Sequence, residues 1–509
     1  MKLLLLFAYF AVLLYIGFKC RRSASSVSGF VLGGRSVGAW LTAFAYGTSY
    51  FSAVVFVGYA GQFGWKYGIA ATWAGIGNAL IGSLLAWTVL GRRTRLLTQH
   101  LDSSTMPEFF GKRFDSRALK LVASAIIFVF LVPYTASLYN GLSRLFGMAF
   151  SIDYSLCIVL MSVLTAIYVI AGGYLATAIN DFIQGIIMLV GLVAVIAAVI
   201  ASKGGFMSAL DSLARVSDGA VASTPGVFAS FFGPDPLNLL FVVILTSLGT
   251  WGLPQMIQKF YAIKNEEAIR KGTIISTLFA FVIAGGCYFL GGFGRLFADK
   301  VDVAKDGFDA IIPAMLSNLG PGLIALTVIL VLSASMSTLS SLVITSSSTL
   351  TSDFIKGSLL KNMKPKAEVL TIRFFVVVFI AISAALALVQ HKSSVTFIAQ
   401  LMGISWGALA GSFLAPFLYS LYWKGTTKAA CWASFVFGSG LMIVDMLARE
   451  SLPKILQSPI NCGAIAMLAG FAIVPLVSAF TRAPDRRFTD RLFECYDKAH
   501  PIAAKTALA

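Results

Sequence analysis

Charge is what this chain has least of. Only 12% of its 509 residues are Asp, Glu, Lys or Arg, where a soluble domain carries about a quarter. Three histidines, His100, His391 and His500, leave little from which to build a histidine metal centre. The six cysteines, at 20, 157, 287, 431, 462 and 495, show no metal-ligand or redox spacing and read as apolar filler in helices. Phosphate-binding loops, zinc-protease helices and repeats of 20–50 residues are absent. No nucleophile–base pair stands out, so an enzyme is not expected. What is present is apolar: 58% hydrophobic residues and a mean hydropathy of +0.85. That composition belongs to an integral membrane protein with many helical spans.

Apolar runs long enough to cross a bilayer, about 17 residues or more, predict an all-α chain of thirteen spans. They lie near 3–19, 37–63, 68–91, 117–147, 153–173, 178–202, 238–262, 272–297, 321–352, 371–390, 394–422, 427–447 and 458–481. The first, "LLLLFAYFAVLLYIGF", is followed by "KCRR" rather than a small-residue cleavage site, so it reads as a retained helix. Basic residues then orient the chain. With the N-terminus outside and the C-terminus inside, the inner loops and tail collect 28 of the 39 Lys and Arg, as the positive-inside rule requires. The same distribution accounts for the net charge of +17. It spreads the charge over short loops, which does not suit a nucleic-acid surface.

Two spans are interrupted. "AFAYGTSYFSA" (43–53) carries Gly47, Thr48, Ser49 and Ser52; "TSLGTWGLPQMI" (246–257) carries Gly249, Gly252 and Pro254. Glycine frees the backbone and proline removes a donor. Each interrupted span begins a block of five, and an odd number of spans sends the second block through the membrane in the opposite sense. Breaks at matching places in two such halves are the sequence pointer to a transporter's binding site. Freed carbonyls and amides can there face a solute or an ion instead of lipid. The chain divides accordingly into 1–36 (first helix and loop), 37–203 (first repeat), 204–237 (outer loop), 238–423 (second repeat), 424–481 (two peripheral helices) and 482–509 (tail).

"SASMSTLSS" (333–341) places six hydroxyls inside an apolar span. At 100° per residue, Ser337, Thr338, Ser340 and Ser341 fall with Ala334 on one arc of about 160°. Neutral oxygens at this density suit a hard cation that must shed water without being held too tightly to leave. Carboxylates are too scarce nearby for a divalent ion, so sodium fits best. Asp181 is the acid predicted to lie deepest in the membrane. Ionised there it costs roughly 2.5–3.5 kcal/mol and needs a counter-ion or a proton.

At these residues the chain resembles the sodium:solute symporter family, from about residue 5 to 480. The likeness rests on "FVLGGRSVGAW" (30–40), "AYGTSYFSA" (45–53), "AGGYLATAINDFIQGIIM" (171–188), "GLPQMIQKFYA" (252–262) and "SASMSTLSS". The resemblance implies a five-plus-five inverted-repeat core of the leucine-transporter type, with one helix before it and two after. It implies a shared sodium site from the carbonyls of Thr48, Phe51 and Ala334 and the hydroxyls of Ser337 and Thr338. It also implies a second sodium site from Asp181, Ser337, Ser340 and Ser341, as some members have. A substrate pocket would lie between the two interrupted spans, lined by Ser49, Tyr50, Ser52, Trp73, Tyr134, Trp251 and Gln255. Tyr134 and Pro254 match members that carry proline; Tyr50, Val54 and Thr246 depart from them, and "YGTSYFSA" is similar to members that carry pantothenate or monocarboxylates.

The expectation is therefore a monomeric, sodium-coupled secondary symporter of a small organic solute in a bacterial inner membrane. Two other readings remain open. Protons could drive the cycle with Asp181 as relay, or the fold could serve a sensor that moves no solute.

Overall fold

The structure is a computed structural model that describes residues 2–150, 153–218, 224–360, 362–392 and 398–497. Its framework is helical. We label the principal helices α1 (Lys2–Lys19), α2 (Ala39–Tyr50), α3 (Val54–His100), α4 (Arg117–Phe150), α5 (Tyr154–Ser202), α6 (Pro236–Gly252), α7 (Pro254–Ala262), α8 (Glu266–Gly291), α9 (Pro321–Leu359), α10 (Pro365–Lys392), α11 (Ile398–Tyr422), α12 (Lys428–Ala448), α13 (Pro459–Phe480) and α14 (Arg486–Asp497). Among the described residues, nine helices are long and apolar enough to cross a membrane, ten if the bent pair α6–α7 is one span. An isolated parallel bridge of strand type joins Val37 to Ile263.

Several helices are divided by local chemistry. Gly173 takes φ +55°, ψ −152° inside α5, separating an upstream and a downstream segment at the boundary the hydropathy predicts. Gly68, at φ +63°, ψ −143°, does the same in α3. Left-handed backbone of this kind is open mainly to glycine.

Burial sorts the helices into a centre and a rim. The most apolar stretch of α11 is 94% buried, that of α9 72%; α10, α12 and α13 are buried over only 33–39%. On the rim large apolar side chains point outward, Leu370, Leu447 and Phe480 among them, as a hydrocarbon environment favours. At the centre glycine permits close approach. Gly403, Gly407 and Gly411 recur at four-residue spacing on α11, and a Cβ at Gly407 would lie 2.8 Å from the Cα of Gly463. Small residues at helical spacing are how membrane helices pack without a hydrophobic driving force.

Candidate functional site

Both interrupted spans are broken, and in the same way. α2 ends at Tyr50 because Phe51 adopts an extended conformation (φ −89°, ψ 115°). α6 ends at Gly252 because Leu253 does likewise (φ −79°, ψ 121°), and α7 restarts at Pro254 with a 45° bend. Proline has no N–H to lose at the first helical position. The residue before it is biased to extended backbone, so "GLP" dictates the break directly. The first break has no proline; its glycine, Gly47, lies one turn earlier, where a Cβ would come 2.4 Å from the Phe279 ring.

α9 lies against the first break and carries its serine-rich stretch there, fully enclosed: every hydroxyl residue from Ser333 to Ser341 is at most 3% exposed. Thr338 Oγ1 is 3.0 Å from the carbonyl oxygen of Thr48, 3.3 Å from that of Phe51 and 3.1 Å from that of Ala334. Ser337 Oγ is 3.2 Å from the Thr48 oxygen and 3.0 Å from the Ala334 oxygen. The five oxygens expected to share one ion thus lie in one cluster of hydroxyl–carbonyl contacts. Two hydroxyl protons serve three carbonyl oxygens, so the cluster has more lone pairs than hydrogens. The separations also suit a shared hard cation. An octahedron with oxygens about 2.3 Å from its centre has edges of roughly 3.3 Å. On this donor set a monovalent cation fits.

The other four-residue set is differently placed. Ser337 turns toward the cluster just described, and Ser340 Oγ donates to the Ser337 carbonyl of its own helix at 2.9 Å. Ser341 Oγ accepts from the ammonium of Lys259 at 3.0 Å and meets Ser49 Oγ at 2.9 Å. Asp181, on α5, is fully buried, and neither carboxylate oxygen has a hydrogen-bond partner among the described residues.

The expected pocket residues divide. Ser52, Tyr134, Trp251 and Gln255 are buried near the two breaks. Tyr134 packs edge-on against Trp406, ring centroids 6.0 Å apart. Its hydroxyl faces Ser52 and the Trp406 indole without closing a hydrogen bond to either. Both amide atoms of Gln255, the Tyr59 hydroxyl and the Trp406 N–H are likewise buried and without a hydrogen-bond partner among the described residues. Leaving such groups unmet costs roughly 1–3 kcal/mol each, so a polar ligand is favoured beside them. Trp251 Nε1 donates to the Ile81 carbonyl at 2.9 Å, and Ser49 faces α9 rather than Tyr134. Trp73 stands elsewhere: its indole donates to the Phe231 carbonyl and its ring packs on Phe231. The turn at Gly68 brings the start of that span against Phe228 and Phe231. The Tyr50 side chain lies outside the described residues.

Sequence reasoning missed three residues. Tyr59 and Trp406 are absent from the expected pocket, although a lone tryptophan in the glycine-rich "GISWGALAG" (403–411) is a signal. Lys259 was counted with the inner loop from 259 to 271. The structure corrects this: Lys259 is 2% exposed within α7.

A helical core with two broken helices and a buried oxygen cluster beside one of them defines a multi-pass membrane transporter. Comparison with known proteins gives the family. A family model described as "Sodium:solute symporter family" matches residues 30–438. A sodium/proline symporter of Staphylococcus aureus is 30% identical over 479 residues, 92% of this chain and 90% of the relative. Among solved structures, a Na+-coupled sialic acid symporter in a substrate-bound outward-open state superposes with a TM-score of 0.73 at 17% identity, covering 95% of this chain and 98% of that one. A manganese transporter of Eremococcus coleocola gives 0.51 at 12% identity, covering 89% and 95%. The chain belongs to the sodium:solute symporter family. It is a sodium-coupled solute symporter, and Na+ is its coupling ion.

Proposed function

We propose that the coupling sodium ion is held by the carbonyl oxygens of Thr48, Phe51 and Ala334 and the hydroxyls of Ser337 and Thr338. The clustering of these five oxygens at 3.0–3.3 Å carries the reading. Ion binding there ties α9 to the break in α2, favours the outward-open state and orders the solute site. Rocking of one part of the core against the other then releases both inside. A sodium ion moving down about 100 mV yields about 2.3 kcal/mol, enough for roughly fifty-fold accumulation of a neutral solute.

The architecture in this reading is thirteen spans, with repeats at 37–203 and 238–423, the N-terminus outside and the C-terminus inside a bacterial inner membrane, acting as a monomer. The solute is a small organic molecule such as proline, pantothenate or a monocarboxylate. It is recognised by Ser52, Tyr134 and Gln255, with Tyr59 and Trp406 completing the polar rim, and Ser49 and Tyr50 adjoining it from α2. Proline is the solute named for the Staphylococcus relative, but Tyr50, Val54 and Thr246 distinguish this chain from proline carriers. The test is uptake into proteoliposomes across a labelled panel of amino acids, pantothenate, sugars and short acids, with and without a sodium gradient. The double variant Ser337→Ala, Thr338→Ala is expected to abolish sodium-driven uptake; normal sodium affinity in that variant would remove the site.

A further inference from the structure

The serine-rich helix serves two cations, and only one of them needs to be a free ion. Lys259 sits in α7, 2% exposed. Its ammonium donates to Ser341 Oγ at 3.0 Å and lies 5.0 Å from the ring centroid of Tyr174. Asp181 is the acid that acts on it electrostatically, and Lys259 is the base that acts on Asp181. They do not touch: among the described residues no ion pair within 4.0 Å joins them. Ser341 and the Tyr174 ring meet the ammonium, and Asp181 is the carboxylate that acts on it without contact.

The resemblance places a second sodium ion at Asp181, Ser337, Ser340 and Ser341. This chain's residues do not fit it. The Ser337 and Ser340 hydroxyls hold only carbonyls and can rotate to an ion, but Ser341 already receives the positive charge of Lys259. An ion shared by Ser341 Oγ would sit within about 5 Å of the buried ammonium, which is itself 3.0 Å from that oxygen. At about 5 Å and an effective dielectric of about 20, that repulsion weakens binding on the order of a hundredfold.

We propose that the Lys259 ammonium is a tethered cation standing where the resemblance places a second sodium, so that this chain binds one sodium ion rather than two. The tether costs no binding entropy and joins α7, the downstream half of the second broken helix, to α9 through Ser341. From there the contact runs through Ser49 to α2. The fixed charge thereby links both broken helices to the helix that holds the mobile ion. This inference rests on the sodium site proposed above.

The experiment is equilibrium binding of 22Na+ alone to the purified full-length protein, counted per chain at saturation. The wild type is expected to bind one ion. Lys259→Met, which keeps bulk and removes the charge, is expected to bind two, and Lys259→Met with Asp181→Asn to return to one. Lys259→Arg is expected to bind one. Two ions on the wild type, or one on a folded Lys259→Met, overturns the proposal. Should Lys259→Met not fold, the wild-type and Lys259→Arg counts decide: one on both supports it, two on either overturns it. A wild-type count of zero overturns the shared sodium site itself, which separates the two failures.

Discussion

At the residue scale the site works by shortage of hydrogens. Thr338 Oγ1 lies near three carbonyl oxygens and can donate to one, so the lone pairs left over favour a cation. The hydroxyl, not the methyl, is therefore the functional part. Thr338→Ser should keep the half-saturating sodium concentration of uptake within about threefold, while Thr338→Ala should raise it about tenfold or more, the loss of roughly 1.4 kcal/mol. Equal values for the two variants would assign Thr338 to packing alone. These hydroxyls were legible in the sequence because six of them crowd an apolar span, and oxygen in hydrocarbon demands a reason. Lys259 was not legible. A basic residue five positions past Pro254 is indistinguishable, by counting, from one that has reached the loop.

At the scale of the element, the breaks do the work of exposing backbone. Leu253 is extended because Pro254 follows it, and Gly252 is packed so closely that a Cβ would lie 2.7 Å from the Cα of Ala410. The two positions should separate in experiment. Gly252→Ala forces backbone against backbone and should destabilise the fold by about 1–3 kcal/mol, read as a lower midpoint of thermal unfolding in detergent. Pro254→Ala removes the ring that keeps the chain from continuing as helix. It should reduce uptake more than it changes that midpoint; a drop in the midpoint alone would make Pro254 structural. The break in α6–α7 was readable from "GLP". That in α2 was readable only as glycine and serine enrichment, and its position at Phe51 was set by what packs around it.

At the scale of the whole molecule, one end is laced shut. Arg35, 6% exposed, donates to the Ser103 carbonyl at 2.5 Å and the Tyr261 carbonyl at 3.2 Å. Val37 pairs with the chain at Ala262 and Lys264. Gln258 donates to the Val31 carbonyl at 3.0 Å and accepts from Thr345 at 2.7 Å. The segment between α1 and α2 is thereby tied to the end of α7, to the turn after α3 and to α9. Alternating access requires these ties to break in one state. With the C-terminus inside, as proposed, Arg35→Ala should speed labelling of a Gln258→Cys probe by a membrane-impermeant maleimide added to inside-out vesicles, several-fold over the Gln258→Cys protein with Arg35 intact. Unchanged labelling would show that the lacing does not hold the end closed. A guanidinium can bridge three backbone segments because it carries five donors in a rigid fork, so Arg35→Lys should label at an intermediate rate.

What the sequence alone determined is the set of properties that act along the chain: which stretches are apolar enough for a bilayer, where glycine and proline interrupt them, and which span carries oxygen. Hydropathy, backbone preference and helical period are local, so they survive without a structure. Only the tertiary structure decided what those stretches meet. It brought Thr48 and Phe51 to Ser337 and Thr338 across nearly three hundred residues and sent Trp73 to Phe231. It also buried Lys259 against Ser341. Those pairings depend on packing between helices distant in sequence, and the identity of a side chain does not encode the neighbour that the fold will give it.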